Sequence, residues 1–394
     1  MTLNKIYEPG EDSYLLQKYV DQYSKVDSVL DMGTGTGIQG LTASKYATNV
    51  LSVDVNPEAV KQTKTLIEIE KKKNIKILES DLFSKIPKQK FDLIIFNPPY
   101  LPKHKHVDNI ALVSGKRGVD TTLKFMDNVN EYLTTNGKIL LITSSLASQS
   151  LLDESIKTNL LEKKELEKIH VFFEDIILYE LTKNELLKKI ENMNIANSRV
   201  FAHGKRGLII KAKKDKTVIS IKTKKPGSKA FGNLEIEANT IQKLNKYNIG
   251  PKLISYENDM LIYEFVNGYF IEEYIKNNSK SNINIVIDKL FDQIFQMDKL
   301  GINKFEMHHP IKHILIENNN PVQIDFERAR HTDQPKNVTQ FCDFLISKDM
   351  TKLLANKKIK FDSDELINAA KDYKKDYNKK KLKKIKEIIF SSSW

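Results

Sequence analysis

The sequence predicts an α/β fold in its first half and an α+β fold in its second, and three observations carry that reading. Short apolar runs recur between residues 29 and 100, each ending in glycines, an acid or an Asn-Pro turn. Beyond a Lys/Glu-rich stretch from Leu181 to about Asn197 the pattern changes to two glycine-flanked strands, a helix and a further strand. At 394 residues the chain is long enough for two sizeable cores. A helix and a polar, Asn-containing linker are expected over that stretch, which divides the chain into domains 1–197 and 198–394.

The first strand, Val29-Leu30-Asp31-Met32, opens into Gly33-Thr34-Gly35-Thr36-Gly37. Glycine at every second position lets the backbone pass close to a ligand and turn into a helix, which makes Asp31, Gly33, Thr34, Gly35 and Gly37 candidate contacts. Such a loop alone also suits dinucleotides and phosphates. The next strand, Val50-Leu51-Ser52-Val53, closes on Asp54 and Val55, about twenty residues after the glycines, where a carboxylate can grip both hydroxyls of a ribose. A third, Ile75-Lys76-Ile77-Leu78, leads to Ser80-Asp81-Leu82, whose acid is suited to an adenine amino group. Taken singly, each acid is more often a helix cap or a loop residue.

The fourth strand, Phe91-Asp92-Leu93-Ile94-Ile95-Phe96, is stopped by Asn97-Pro98-Pro99-Tyr100. There the Asn97 side-chain oxygen and the Pro98 carbonyl can each accept a hydrogen bond from a substrate –NH2, and Tyr100 can stack on the flat group that carries it. Alone, the tetrapeptide is an ordinary Asn/Pro turn. Glycine loop, ribose acid, adenine acid and Asn-Pro-Pro-Tyr in this order predict S-adenosylmethionine, rather than NAD, as the cofactor.

On these motifs, residues 1 to about 185 resemble the HemK-type class I methyltransferases that modify the glutamine amide of translation release factors. The resemblance extends to Tyr7-Glu8-Pro9-Gly10-Glu11-Asp12-Ser13-Tyr14, which in that family lies over the cofactor and so adds Tyr7 and Glu11 to the cofactor contacts. It also includes Val171-Phe172-Phe173-Glu174-Asp175-Ile176-Ile177-Leu178-Tyr179, which looks like the last, antiparallel strand of the sheet. A Rossmann-like, seven-stranded domain is implied, with glutamine N5 as acceptor and, in the archaeal and eukaryotic branch, often a small zinc-binding activator subunit. The segment Ala111-Leu112-Val113-Ser114-Gly115-Lys116-Arg117-Gly118 departs from the family by lacking an aromatic and paired glycines. An adenine N6-methyltransferase acting on nucleic acid is the alternative, because the same turn serves a flipped base.

After the linker, residues 200–211 and 217–222 read as a two-stranded meander with Gly204 and Gly207 at its start and Lys222 at its end. A helix over Glu235–Leu244 carries Glu237, and Met260-Leu261-Ile262-Tyr263-Glu264-Phe265-Val266 is a strand running into Asn267-Gly268. Farther on, Val322-Gln323-Ile324 is an apolar strand ending in Asp325-Phe326. Residues 200–345 resemble compact archaeal kinases related to the RIO and Bud-type families, with Met307-His308-His309-Pro310 and Asn337-Val338-Thr339-Gln340 as further matching segments. That resemblance implies an ATP-binding Ser/Thr kinase-like domain in which Gly204 to Gly207 covers the phosphates, Lys222 reaches them and pairs with Glu237, and Asp325 binds the metal. The usual His-Arg-Asp is missing. Counting forward puts the base at Glu306, and counting back from His313, in the second metal ligand's place, puts it at His308. A histidine ligand suits Mn²⁺ better than Mg²⁺. The alternative for this half is a scaffold that recruits the methyltransferase to its substrate.

Cys342 is the only cysteine, which excludes an internal disulfide and a cysteine-rich zinc site and fits a reducing compartment. Met1-Thr2-Leu3-Asn4-Lys5 carries no apolar leader and no run reaches membrane-spanning length, so a soluble cytoplasmic protein is expected. The net charge of +12 invites a nucleic-acid reading. It comes almost wholly from lysine, with arginine only at 117, 199, 206, 328 and 330, and the densest cluster, Lys379 to Lys386, alternates with apolar residues like a solvated helix face. Nucleic-acid contact is therefore not the favoured reading.

Overall fold

The computed structural model describes residues 6–23, 25–102, 114–204, 207–225 and 234–390. Expectations resting on Met1–Lys5, on residues 111–113 and on Lys205 and Arg206 lie outside the described residues. The chain divides into two compact units, Met1–Phe201 with Ala212–Asp215, and Ala202–Lys211 with Lys216–Trp394.

The first unit runs α1 (Glu11–Val20), β1 (Val26–Met32), α2 (Ile38–Ala43), β2 (Ala47–Asp54), α3 (Pro57–Ile69), β3 (Ile75–Glu79), β4 (Phe91–Phe96), α4 (Asp120–Met126), α5 (Val129–Tyr132), β5 (Leu133–Ser144), α6 (Gln149–Thr158), β6 (Leu161–Val171), β7 (Glu174–Lys183) and α7 (Glu185–Asn192). Its seven strands lie in the order β3-β2-β1-β4-β5-β7-β6. The pairs from β3 to β5 are parallel, and β7 runs antiparallel to both β5 and β6. This is the Rossmann-like class I methyltransferase arrangement. The central strands are buried because helices cover them, which is why β1 and β4 read as continuous apolar runs rather than alternating ones. Leu16, Val29, Leu93, Ile95, Leu140 and Leu178 form the core on the face that α1 and α2 cover.

Register places the site. Met32 pairs with Val53 on one side and with Phe96 on the other, so Gly33, Asp54 and Asn97 leave three neighbouring strands at one level. The strand order reverses between β1 and β4, and at such a switch point the loops diverge and leave a crevice for a ligand.

Three features of the first unit differ from expectation. The final strand begins at Glu174, because Val171 ends β6 while Phe172 and Phe173 make the turn, Phe172 with φ +52°. The edge strand β6 was not anticipated: its residues are largely charged and exposed, so it shows little of the apolar period that marks a strand. In the stretch 181–197 the expected helix is present but shorter, and a strand takes the place of the expected linker. Leu181 pairs with Ile139 and stays in β7, α7 is short, and Ile195 to Asn197 open the next strand.

That strand, β8 (Ile195–His203), is followed by β9 (Gly207–Lys214), β10 (Thr217–Lys224), α8 (Leu234–Asn245), β11 (Leu253–Glu257) and β12 (Met260–Glu264). The expected two-stranded meander is thus three strands, in a sheet ordered β11-β12-β10-β9-β8. Within the second unit, after β12, come a 20-residue helix, Lys280–Lys299, a hairpin of Ile314–Glu317 with Asn320–Gln323, and four helices from Asn337 to Phe390. Their core includes Ile287, Leu290, Phe291, Phe341, Leu366 and Ile385. In the last helix, Lys379–Phe390, Leu382, Ile385 and Ile389 are buried and Lys386 pairs with Asp288 and Asp292 at 2.9 and 2.7 Å. Among the described residues no helix is long and apolar enough to cross a membrane.

Candidate active site

The glycine loop is held from below by one carboxylate. Asp31 is 1 % exposed, and its Oδ2 accepts from Thr34 Oγ1 at 2.5 Å, Gly40 N at 3.0 Å and Ser52 Oγ at 3.2 Å. Burial raises its pKa to about 6 against the pull of those donors. Expected as a ligand contact, Asp31 is instead enclosed, with one oxygen taken by the loop it supports. Gly33, Gly35 and Gly37 take φ of +69°, +54° and +86°, which side chains other than glycine rarely adopt. Asp54 ties the loop to β2: its Oδ2 accepts from Gly35 N at 2.9 Å and its Oδ1 from Asn56 N at 2.8 Å. Each oxygen retains a lone pair for a further donor. Val55 and Asp81 are exposed, and Leu82 sits at φ +47°, a left-handed conformation unusual for leucine.

Asn97 emerges from β4 with its carboxamide already oriented. Its Nδ2 donates to Asp12 Oδ2 at 3.0 Å and to Ser13 Oγ at 3.5 Å. A carboxylate only accepts, so it fixes which end of the amide is nitrogen. The Asn97 Oδ1 is buried and has no hydrogen-bond partner among the described residues. Pro98 is buried and Pro99 half-buried beside it. Asp12, the organising group here, did not stand out in the sequence. It is buried in the first turn of α1, where its Oδ1 accepts from Tyr7 Oη at 2.9 Å and Ser13 N at 2.6 Å, and its Oδ2 also accepts from Tyr100 Oη at 3.0 Å. Burial, with Asp12 beside them, pushes both tyrosine hydroxyls well above their ordinary range. Tyr100 therefore departs from expectation. At 8 % exposure, with its ring in the core and its hydroxyl on Asp12, it buttresses the turn rather than offering a stacking face. Tyr7 reaches the same carboxylate, whereas Glu11 is exposed on the outer side of α1.

A second cluster of charges lies within the second unit. Lys222, near the end of β10, donates to Glu237 Oε2 at 2.6 Å and Asp325 Oδ1 at 2.8 Å. Burial disfavours its charge, but the two carboxylates outweigh burial and raise its pKa. Glu237 Oε1 also accepts from Phe326 N at 3.1 Å, which joins α8 to the turn at Asp325. Burial pushes the Asp325 carboxyl upward, yet Lys222 beside it holds it below the usual range. His313 Nδ1 lies 3.7 Å from Asp325 Oδ2, and no group of three His, Cys, Asp or Glu side chains able to hold a metal occurs among the described residues. Of the two candidate bases, Glu306 has a buried Oε2 without a partner among the described residues, while His308 is exposed with its Nδ1 on its own turn's Phe305 carbonyl at 2.8 Å. Gly204 N donates to Gly207 O at 2.9 Å, which links the residue after β8 to the first residue of β9.

Comparison with known proteins bears on the first cluster. The methyltransferase small domain family matches residues 11–172. A protein assigned as an N5-glutamine methyltransferase in Methanocaldococcus jannaschii is 38 % identical over 151 residues, covering 37 % of this chain and 75 % of that protein. The chain belongs to the protein N5-glutamine methyltransferase family. The ribosomal protein uL3 glutamine methyltransferase of Francisella tularensis is 29 % identical over 134 residues, and the release factor glutamine methyltransferase of Shewanella oneidensis 34 % over 127. These matches take in 31 % and 29 % of this chain, and the chain spans 43 % of the length of each of those two relatives. Among solved structures, one chain of the E. cuniculi complex responsible for methylation of a translation termination factor aligns over 45 % of this chain and 99 % of its own length at 24 % identity, with a TM-score of 0.38.

S-adenosylmethionine is the cofactor of class I methyltransferases, and the residues present in this family member fit it. The left-handed glycines leave the end of β1 open to close approach, Asp54 keeps acceptor capacity at the end of β2, and the oriented Asn97 holds a buried acceptor without a protein partner.

Proposed function

We propose that this chain transfers the methyl group of S-adenosylmethionine to the side-chain nitrogen of a protein glutamine, and that the acceptor protein is a translation release factor. The observation that carries the reading is the Asn97 carboxamide, pinned through its nitrogen by Asp12 so that its buried oxygen is left for a substrate N–H. Family membership and the substrates named for its relatives support glutamine over adenine. The cofactor supplies an electrophilic methyl group on a sulfonium sulfur.

In this reading the protein's work is placement. The glycine turn and Asp54 hold the nucleoside half, with Asp81 at the adenine end, while Asn97 Oδ1 and the Pro98 carbonyl each accept one N–H of the acceptor amide. An amide nitrogen is a weak nucleophile because its lone pair is delocalised into the carbonyl. Two acceptors on its hydrogens favour the arrangement in which that lone pair is released toward the methyl carbon. Holding donor and acceptor in line contributes roughly 7–11 kcal/mol. A small zinc-binding activator subunit belongs to the same proposal through the resemblance to the archaeal and eukaryotic branch. The test supplies methyl-labelled cofactor with either a release factor or an adenine-containing oligonucleotide, followed by mass spectrometry. Label on one glutamine side chain is expected; label on adenine would replace this reading with the nucleic-acid one.

The second reading concerns the second unit: ATP binding by a kinase-like domain, with Mg²⁺ or Mn²⁺ at Asp325 and His313. Lys222 held between Glu237 and Asp325 supports it, since that lysine on a strand, paired with a helix glutamate, is what phosphate positioning requires. Glu306, half-buried and with an Oε2 that has no hydrogen-bond partner among the described residues, is better suited than the exposed His308 to accept a hydroxyl proton. Calorimetry with ATP and Mn²⁺ on the full chain and on Asp325→Ala is the check. Binding lost in the variant is expected, and no binding by either removes the kinase-like reading.

A further inference from the structure

Lys304 has no exposed surface, and its ammonium donates to two main-chain carbonyls, Ile324 O and Asp325 O, each at 2.5 Å. It also lies 4.4 Å from the centroid of the Phe326 ring. Among the described residues the other buried lysine, Lys183 in the first unit, donates to the Leu133 carbonyl at 2.8 Å but also meets the carboxylate of Glu191 at 2.6 Å, as a buried cation ordinarily does. Lys304 spends its hydrogen bonds on uncharged carbonyls instead, and burial lowers its pKa to about 8. An apolar side chain of the same length would cost less to enclose. The location explains why the charge is there. Asp325 is a non-glycine residue at φ +65°, a strained conformation that persists only where the surroundings impose it. Its own carbonyl and the one before it are the two that Lys304 grips, while Phe326 N, on the other side, is held by Glu237. The Asp325 turn is thus fixed at three consecutive residues by two buried charged side chains of opposite sign.

We propose that Lys304 is a positioning residue for the nucleotide site of the second unit, clamping the backbone at Asp325 so that this carboxylate is set to receive a divalent cation bound to the nucleotide's phosphates. The inference rests on the kinase-like reading above and goes beyond it, because Lys304 itself reaches neither nucleotide nor metal. Its role is specific: removing the ammonium frees the turn, and what suffers is the metal-dependent part of nucleotide affinity.

The experiment measures ADP binding to the full chain by calorimetry, with Mn²⁺ and with a chelator, for the natural protein and for Lys304→Met, which keeps the apolar stem. The natural protein is expected to bind ADP at least tenfold more tightly with Mn²⁺. Lys304→Met is expected to match it in chelator and to lose most of that tenfold gain, with an unchanged or higher thermal midpoint. An equal Mn²⁺ gain in the variant overturns the proposal, as does the same loss with and without metal together with a lowered midpoint, which marks a purely structural tie. Should Lys304→Met not fold, Lys304→Leu, which likewise lacks any N–H donor, carries the same comparison with the same outcomes. Failure of the natural protein to bind ADP under either condition overturns the kinase-like reading itself and is thereby told apart from failure of Lys304 alone.

Discussion

Asp12 and Asn97 stand 85 positions apart in sequence, yet the carboxylate of one decides which way the carboxamide of the other faces. Asp12→Ala removes a charge-assisted bond to Asn97 worth about 1.5–3 kcal/mol and also frees Tyr100 and Tyr7, so turnover is expected to fall roughly 10- to 150-fold, with any loss of cofactor affinity, through Tyr7, the smaller effect. Steady-state rates beside a cofactor titration check this. Asp31 gives a pH dependence. Its folded pKa of about 6 lies above the unfolded value, so the folded unit binds the extra proton between them. Its contribution to stability is complete below about pH 4 and is lost as pH rises through about 6. Thermal midpoints across that range should fall more steeply for the natural protein than for Asp31→Asn. At this scale the sequence singles out Asn97, where chemistry and spacing coincide, and the structure gives it an oriented carboxamide. The sequence was silent at Asp12, because an acid in the first turn of a helix is ordinarily there for the helix dipole. The signal that would have found it is a requirement rather than a motif: an asparagine that must present its oxygen needs an acceptor behind its nitrogen.

Elements position those residues through packing tolerances that single atoms can exceed. Gly40 lies in α2 directly over β1, where an added methyl group would meet Ser52 Oγ and Asp31 Oδ2, the groups that hold the glycine loop. Gly40→Ala is expected to cost about 1–3 kcal/mol of stability, read as a lowered urea midpoint, and to weaken cofactor binding with it. A midpoint unchanged by the substitution would show the loop to be looser than described. The strands with continuous apolar runs, the C-terminal parts of β1 and β2 and the whole of β4, were evident from those runs. The edge strand β6 and the turn at Phe172 were not, since an edge strand can be charged along its length and an exposed aromatic pair mimics a buried one. Tyr100 misled for the opposite reason: nothing in its neighbours tells a ring packed inward from one held out.

For the whole molecule, two units with separate cores imply separate ligand effects. Amide exchange is expected to slow around β1, α2 and β4 on adding S-adenosylhomocysteine and around β9, β10 and Asp325 on adding ADP with Mn²⁺, each ligand stabilising what it binds. Protection by one ligand in both regions would mean that the two sites are coupled. The positive net charge, by contrast, carries no such implication of a nucleic-acid partner: in the most basic helix one lysine is already paired with two aspartates and the apolar side is buried. Everything proposed for the first unit depends on the Asn97 oxygen acting on the acceptor rather than on the cofactor. The most direct measurement compares cofactor dissociation constant and single-turnover methyl transfer for the natural protein and Asn97→Ala. A rate lowered about 100-fold or more with cofactor affinity held within about twofold is the predicted result. An undiminished rate, or equal losses in both quantities, would contradict it.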